Sequence, residues 1–201
     1  MDQSGGVALN RALEHAAWSN ALQSPMGAMV LASNPSSATG SWFTHVSDQR
    51  NPNGPKIGPL WLSANIQYTP EQAIVQPPMH AQAMIGHSQL PGVLQVVRSS
   101  TLPSVNFSIA ALVSDSGEQL TVRVVNLNAT AVTAGVAIAG AETWSGTMTV
   151  LGGKLDDHNS PEQPHHIVPT ESPVTAGELA AGIKFGGHSF TVLNLTRSTQ
   201  R

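Results

Sequence analysis

The sequence contains no cysteine in 201 residues. This absence excludes disulfides, thiolate nucleophiles and cysteine-ligated zinc or iron–sulfur sites. Charge is also scarce: 10% of the residues are charged, the formal net charge is −3, and the nine Lys and Arg form no cluster. Because a nucleic-acid ligand requires clustered cations to neutralise its phosphates, no nucleic-acid partner is expected.

Long apolar runs are missing as well. No segment approaches the roughly 20 apolar residues that span a bilayer, so no membrane partner is expected. The opening MDQSGGVALNRALEH has no basic region followed by an apolar segment, so no secretory signal is visible and the location stays unknown. The length is sufficient to bury the core of one or two domains.

The first hundred residues are predicted to form helix, strand, long loop and helix. Leucines and alanines recur at helical spacing over residues 7–23, and a second helix is predicted over 78–88, after two prolines that suit a helix start. The short apolar run AMVLA (28–32) predicts a strand buried on both faces. Frequent Pro, Gly and Asn predict a loop over 33–65.

The second half is predicted to be all strand. Short runs, several of them alternating between apolar and polar residues, are separated by turn-forming residues, and Asp115-Ser-Gly117 is typical of a hairpin turn. The spacing favours an antiparallel sandwich. The predicted strands cover 93–97, 106–114, 119–127, 132–139, 144–151, 179–185 and 188–196.

The stretch LDDHNSPEQPHHIVP (155–169) gathers most of the ligand-capable chemistry. The adjacent His165 and His166 would point apart on any regular backbone, which disfavours a metal site. Asp156 and Asp157 could form a carboxylate pair, and a triad could be drawn with Ser160 and His158, but no Gly-x-Ser-x-Gly elbow occurs. We therefore expect an ordered connection between strands, with no metal and no cofactor.

This stretch also carries a family resemblance. Within VLGGKLDDHNSPEQPHHIVPTES, the pairs Asn159-Ser160, Gln163-Pro164 and Val168-Pro169, together with the closing HSFTVLNL, resemble the C-terminal domain of the plant-type α-L-arabinofuranosidases of glycoside hydrolase family 51. GVALNRALEHAAWSNALQ resembles the helix after the seventh strand of that family's (β/α)8 barrel, AMVLASNP its eighth strand, and QPPMHAQAMIGHS its eighth helix.

The resemblance implies a mainly β fold. Residues 98–201 would form a C-terminal antiparallel, jelly-roll-like β-sandwich, and residues 1–97 an α/β remnant of the last βα units of an incomplete barrel. Members hydrolyse terminal non-reducing α-L-arabinofuranosyl residues of arabinoxylan and arabinan, with retention of configuration, in L-arabinose metabolism. Their two catalytic glutamates lie on the fourth and seventh barrel strands. None of the seven glutamates here follows an asparagine as the acid/base residue does, so no catalytic residue is assigned and the chain alone is expected to be inactive.

The resemblance also suggests sites and partners. Trp61, Asn65 and Trp42 would lie near the open end of the barrel and contact an arabinose-containing polysaccharide or oligosaccharide, although loop aromatics could equally anchor the loop on the core. The missing barrel portion or a second copy would be a protein partner, and an extracellular location would suit the family. One alternative is a non-catalytic carbohydrate-binding or subunit-interaction module. Another is a small enzyme built on His80 and His87, which share a helix face.

Overall fold

The computed structural model describes residues 8–23, 39–41, 65–68, 71–97, 106–138 and 144–198. The predicted strand over 28–32 lies outside these ranges. In chain order the elements are α1 (Leu9–Leu22), β1 (Thr39–Ser41), β2 (Ile66–Tyr68), β3 (Ala73–Val75), α2 (Pro77–His87), β4 (Gly92–Leu94), β5 (Phe107–Val113), β6 (Gln119–Asn126), β7 (Val132–Ala134), β8 (Trp144–Gly152), β9 (Thr170–Val174), α3 (Ala176–Ala181), β10 (Ile183–Phe185) and β11 (Ser189–Arg197). Within the described ranges, no helix has the length and apolar character to cross a membrane.

A six-stranded antiparallel sheet dominates the molecule. Its strand order is β4-β5-β6-β11-β8-β9, so the last strand of the chain lies near the centre, between β6 and β8. Strands β5 and β6 form the hairpin that the turn residues predict: Gly117 has a φ of 71° and its N–H donates to the Ser114 carbonyl at 2.9 Å. A glycine suits this position because a side chain would disfavour the positive φ.

One face of this sheet packs against the two longer helices. Helix α1 contacts α2 and strands β5, β6 and β11, while α2 contacts β8. Small side chains on α1 permit close packing, as its alanine-rich sequence predicts. The buried cluster comprises Leu9, Ala12, Leu13, Ala16, Ala81, Met84, Val125, Leu151, Ile167, Phe190 and Val192.

The opposite face packs against a thinner layer, formed by the two-stranded sheet β7–β10 and by α3. Phe107 of β5 and Phe185 of β10 meet edge to face, with ring centroids 5.8 Å apart. Trp144 is 5% exposed in this core. The buried cluster comprises Phe107, Ala111, Leu120, Val122, Val124, Trp144, Val174, Leu179, Ile183, Phe185, Leu193 and Leu195.

Three local predictions are wrong. The N-terminal part of the predicted strand 179–185 belongs to helix α3, which a capping box between Thr175 and Glu178 starts. Strand β9 is absent from the prediction because Glu171 and Pro173 are poor strand formers. The predicted loop over 33–65 contains β1, which pairs in parallel with β2.

The predicted fold class is confirmed: antiparallel strands predominate, and the helices are few. The division at 97/98 stays a prediction. Strand β4, which precedes that point, already pairs with β5 in the main sheet.

Candidate functional site

Of the three predicted sugar-contacting residues, the structure describes Asn65. Trp42 and Trp61 lie outside the described residues. Asn65 is 3% exposed and precedes β2, and its carbonyl accepts a hydrogen bond from the Gln76 amide at 2.9 Å. A sugar contact by these three side chains stays a prediction.

Behind Asn65 lies a buried cluster of amide side chains. Gln76, fully buried at the start of α2, donates from Nε2 to Gln67 Oε1 at 3.0 Å and to the Asn159 carbonyl at 2.8 Å. Its Oε1 accepts from the Asn159 amide at 3.1 Å. Gln76 therefore ties strand β2 to the 155–169 connection through both ends of its amide.

Asn159 organises the polar stretch itself. It is fully buried, and its Nδ2 donates to the carbonyls of Val75 and Ile167 at 2.7 and 2.9 Å. Its Oδ1 accepts from the Ile167 amide at 2.7 Å. The side chain thus replaces a missing strand partner for the backbone on both sides, which gives this part of the sequence an architectural role.

The titratable groups around Asn159 form local contacts. Asp157 accepts from the Lys154 amide at 2.8 Å through Oδ2, and its Oδ1 lies 3.6 Å from His166 Nε2. No group of three or more His, Asp or Glu side chains within the described residues could hold a metal ion. These contacts are those of a turn with one partly exposed histidine–carboxylate contact.

The triad considered for this stretch does not assemble. Ser160 Oγ donates to Glu162 Oε2 at 2.8 Å, while His158 Nδ1 lies 3.2 Å from the Asp156 carbonyl. The Ser160 hydroxyl lowers the pKa of Glu162, since its hydrogen bond favours the charged carboxylate. Ser160 is thereby a turn residue with its hydroxyl committed to a carboxylate.

The two histidines on α2 differ in their surroundings. His87 is exposed, whereas His80 is half-buried and its Nε2 has no hydrogen-bond partner in the described part of the chain. Desolvation lowers the pKa of His80, and repulsion from His165 adds to that shift. Nothing in these contacts supplies an acid–base partner to the imidazole of His80.

A buried cation is the polar feature that sequence reasoning missed. Arg123 is fully buried between the main sheet and the helices. It donates from Nε to Ser88 Oγ at 2.9 Å, from Nη2 to the Ile85 carbonyl at 2.8 Å and from Nη1 to Ser19 Oγ at 3.5 Å. Within the described residues no carboxylate pairs with it, and burial lowers its pKa to about 10.

Helix ends explain how this cation is tolerated. Ile85 and Ser88 lie at the C-terminal end of α2, and Ser19 lies in the last turn of α1. Helix C-termini carry partial negative charge, so two of them converge on one guanidinium. The sequence offered one signal, an arginine within the apolar run QLTVRVVNL. The alternation of apolar and polar residues in that run would by itself place the arginine on a solvent-facing side of the strand.

The other face of the sheet contains an open apolar groove of about 670 Å³. Its floor is formed by inward-facing residues of β5 and β6, and its walls by residues 94–97 and 133–138. Trp144 and Phe185 also line it, and among the residues that the structure describes no charged side chain lines the groove.

The fold has solved counterparts. An arabinose-bound GH51 α-L-arabinofuranosidase aligns with 96% of this chain at a TM-score of 0.67 and 19% identity, and the alignment covers 28% of that enzyme. α-L-Arabinofuranosidases from Thermotoga maritima and Thermotoga petrophila RKU-1 each align with 71% of the chain at 19% identity, with TM-scores of 0.57 and 0.59. No protein-family model matches the sequence, and no curated protein matches it.

These likenesses establish the fold. The resemblance identified in the sequence is confirmed at that level, because independent structures of such enzymes share the chain's architecture. The chain spans roughly a third of the length of each, 28%, 35% and 34% respectively. It thus has the fold of one part of a larger enzyme.

Proposed function

We propose that this chain is the C-terminal portion of a family 51 α-L-arabinofuranosidase. The complete enzyme would hydrolyse terminal non-reducing α-L-arabinofuranosyl residues of arabinoxylan and arabinan and so serve L-arabinose metabolism. The observation that carries the proposal is the alignment of 96% of the chain with an arabinose-bound enzyme of that family. The resemblance of the stretch around Asn159-Ser160, Gln163-Pro164 and Val168-Pro169 to the C-terminal domain of that family also supports it.

The chain alone would lack turnover. Retaining hydrolysis needs two carboxyl groups about 5–5.5 Å apart, which a closed barrel of about 250 residues holds in place. Several glutamates here already have other contacts: Glu14 pairs with Arg11 at 2.7 Å on the surface of α1, and Glu178 caps α3. Catalysis therefore depends on barrel strands beyond those of this chain.

An assay on a chromogenic α-L-arabinofuranoside tests this directly. The purified 201-residue chain should give no turnover above the buffer rate, and clear hydrolysis would contradict the proposal. The genomic DNA upstream of the Met1 codon should continue in frame through a strand with Asn-Glu and a second glutamate strand. The joined polypeptide should then cleave the substrate, and its Glu→Gln variants at those two positions should be inactive.

The same proposal assigns partners. Trp61, Asn65 and Trp42 would contact the arabinose-containing substrate, and the barrel portion or a second copy would cover the helical side. A non-catalytic carbohydrate-binding or subunit-interaction module remains the second candidate, favoured because the helices, the main sheet and the β7–β10 sheet already share packed cores. Affinity electrophoresis in arabinoxylan separates the two: retardation without turnover supports the module, and unaltered mobility counts against it.

A further inference from the structure

The apolar surface of helix α1 repeats itself from one turn to the next. The residues on its buried side recur every four positions: Ala8-Leu9, Ala12-Leu13 and Ala16-Ala17. Residues four positions apart lie on the same face of a helix, one turn from each other. A slide of α1 along its axis by one turn, about 5.4 Å, would therefore exchange apolar contacts with the sheet for similar apolar contacts.

The contacts around one buried cation distinguish these positions. We propose that Arg123 and Asn20 form a register lock, a pair of polar side chains that selects one position of α1 on the main sheet. Apolar packing holds the helix against the sheet, and the lock determines which turn of the helix lies over strand β6. This inference does not depend on the glycosidase proposal, because it rests on contacts within this chain.

The guanidinium of Arg123 is held in place without α1. Its Nε donates to Ser88 Oγ at 2.9 Å and its Nη2 to the Ile85 carbonyl at 2.8 Å, both at the C-terminal end of α2. The Ser88 hydroxyl in turn donates to the Met84 carbonyl at 2.6 Å, so the acceptor of Nε is itself fixed on α2. Arg123 therefore offers its Nη1 donor to α1 at a defined place.

The last turn of α1 carries the matching groups. Arg123 Nη1 donates to Ser19 Oγ at 3.5 Å. Asn20 Nδ2 donates to the carbonyls of Arg123 and Ser108, at 3.4 Å each. These distances are long for hydrogen bonds, but Asn20 is 3% exposed and Arg123 is fully buried, so water does not replace a partner that is lost. Misplacing these groups is therefore costly even though each contact is weak.

A slide by one turn would break this match. His15 and Ala16 would then stand in the places of Ser19 and Asn20, and an alanine methyl group donates no hydrogen bond. At the other end of α1, two carbonyls of the 155–169 connection accept from the first amides of the helix, at 2.9 and 3.0 Å. Whichever residues begin the helix can make those backbone contacts. Of the two sets of contacts, the one at Arg123 distinguishes one turn of the helix from the next.

Distances between spin labels test the lock. The chain has no cysteine of its own, so a label introduced by Glu14→Cys on α1 can be paired with one introduced by Asp115→Cys or by Ser172→Cys on the sheet side. All three sites are exposed. Double electron–electron resonance on the otherwise unchanged 201-residue chain should give a single distance for each pair. We expect Arg123→Met to add a second population, about a tenth of the molecules or more, whose distances correspond to a slide of about 5.4 Å.

A second variant and a control complete the experiment. The double variant Ser19→Ala/Asn20→Ala removes the α1 side of the lock while Arg123 keeps its acceptors on α2, and it should produce the same second population. Lys184→Met, which removes an exposed cation from β10, should leave each distance single. A single, unshifted distance in either lock variant that folds would overturn the proposal. Loss of the folded circular dichroism spectrum in both variants would show that the lock residues are required for folding itself, and would also overturn it.

Discussion

Single residues decide how the polar stretch is used, and Asn159 is the clearest case. Its side-chain amide makes three hydrogen bonds to backbone groups of Val75 and Ile167. A buried asparagine with its donors and acceptor all matched is worth more to a fold than its polarity suggests, because each backbone group it serves would otherwise lie unpaired.

Replacement of Asn159 by alanine should therefore be costly. Asn159→Ala leaves the Val75 carbonyl and both backbone groups of Ile167 without these partners. We expect the free energy of unfolding to fall by about 3 kcal/mol, measured by urea denaturation followed by circular dichroism. The neighbouring His158→Ala, which removes one exposed contact to the Asp156 carbonyl, should change it by less than about 0.5 kcal/mol. Equal effects of the two variants would show that Asn159 has no special role.

The sequence could predict that this stretch is a connection, but not which residue holds it. Prolines and adjacent histidines argued against a metal site, and the chemistry of each side chain is readable from its identity. What Asn159 contacts depends on β3 and α2, which lie some 80 residues earlier in the chain. Such long-range partners have no local sequence signal. The burial of Arg123 could not be predicted for the same reason, since its hydrogen-bond acceptors lie at helix ends distant in sequence.

At the scale of elements, strand pairing is governed by how closely backbones approach. Gly146 of β8 lies opposite Leu195 of β11, and a Cβ on Gly146 would collide with the Asn194 carbonyl. Gly86, near the end of α2, has open space where a Cβ would go. A side chain thus has no space at Gly146 but has space at Gly86.

A pair of glycine-to-alanine variants exploits this contrast. Gly146→Ala should lower the free energy of unfolding by about 3 kcal/mol, because the clash involves backbone at the centre of the main sheet. Gly86→Ala should raise it by about 0.5–1 kcal/mol, because alanine restricts the unfolded chain and favours helix. Thermal unfolding by calorimetry measures both. A destabilised Gly86→Ala together with a neutral Gly146→Ala would contradict this packing.

Element types followed the sequence where a regular pattern met a clear stop signal. Helix α2 begins at Pro77, and the β5–β6 hairpin turns at Gly117. The misassigned segment 179–181 has an apolar run that suits either helix or strand, and the choice depended on the cap at Thr175. Strand β9 forms because β8 offers it a partner, which outweighs the low strand propensity of Glu171 and Pro173.

For the whole molecule, half-buried histidines make stability depend on pH. Desolvation lowers the pKa of His15, with Arg11 adding to the shift and Glu14 opposing it, and desolvation and His165 lower the pKa of His80. Below about pH 6.5 the unfolded chain therefore binds more protons than the folded chain. Stability is retained above that pH and is lost as the pH falls towards the lowered pKa values of the two histidines in the folded chain.

We expect the free energy of unfolding to decrease from pH 7.5 to 5.5. The slope should correspond to the uptake on unfolding of less than one proton per histidine. The double variant His15→Gln/His80→Gln should flatten this dependence. Urea titrations at five pH values within that window measure it, above the range in which carboxylates titrate. An unchanged slope in the double variant would show that these two histidines do not cause the pH dependence of stability.

The covering of both faces of the main sheet bears on how the polypeptide could be divided. A cut between residues 97 and 98 would remove the helices that cover Phe190, Val192 and Val125. It would also remove the Ser19, Ile85 and Ser88 oxygens that accept hydrogen bonds from Arg123. The remaining piece would expose apolar side chains and a guanidinium without its hydrogen-bond acceptors to water on one face of the sheet. Any minimal recombinant unit should therefore retain both helices, whatever boundary the linear order of the segments suggests.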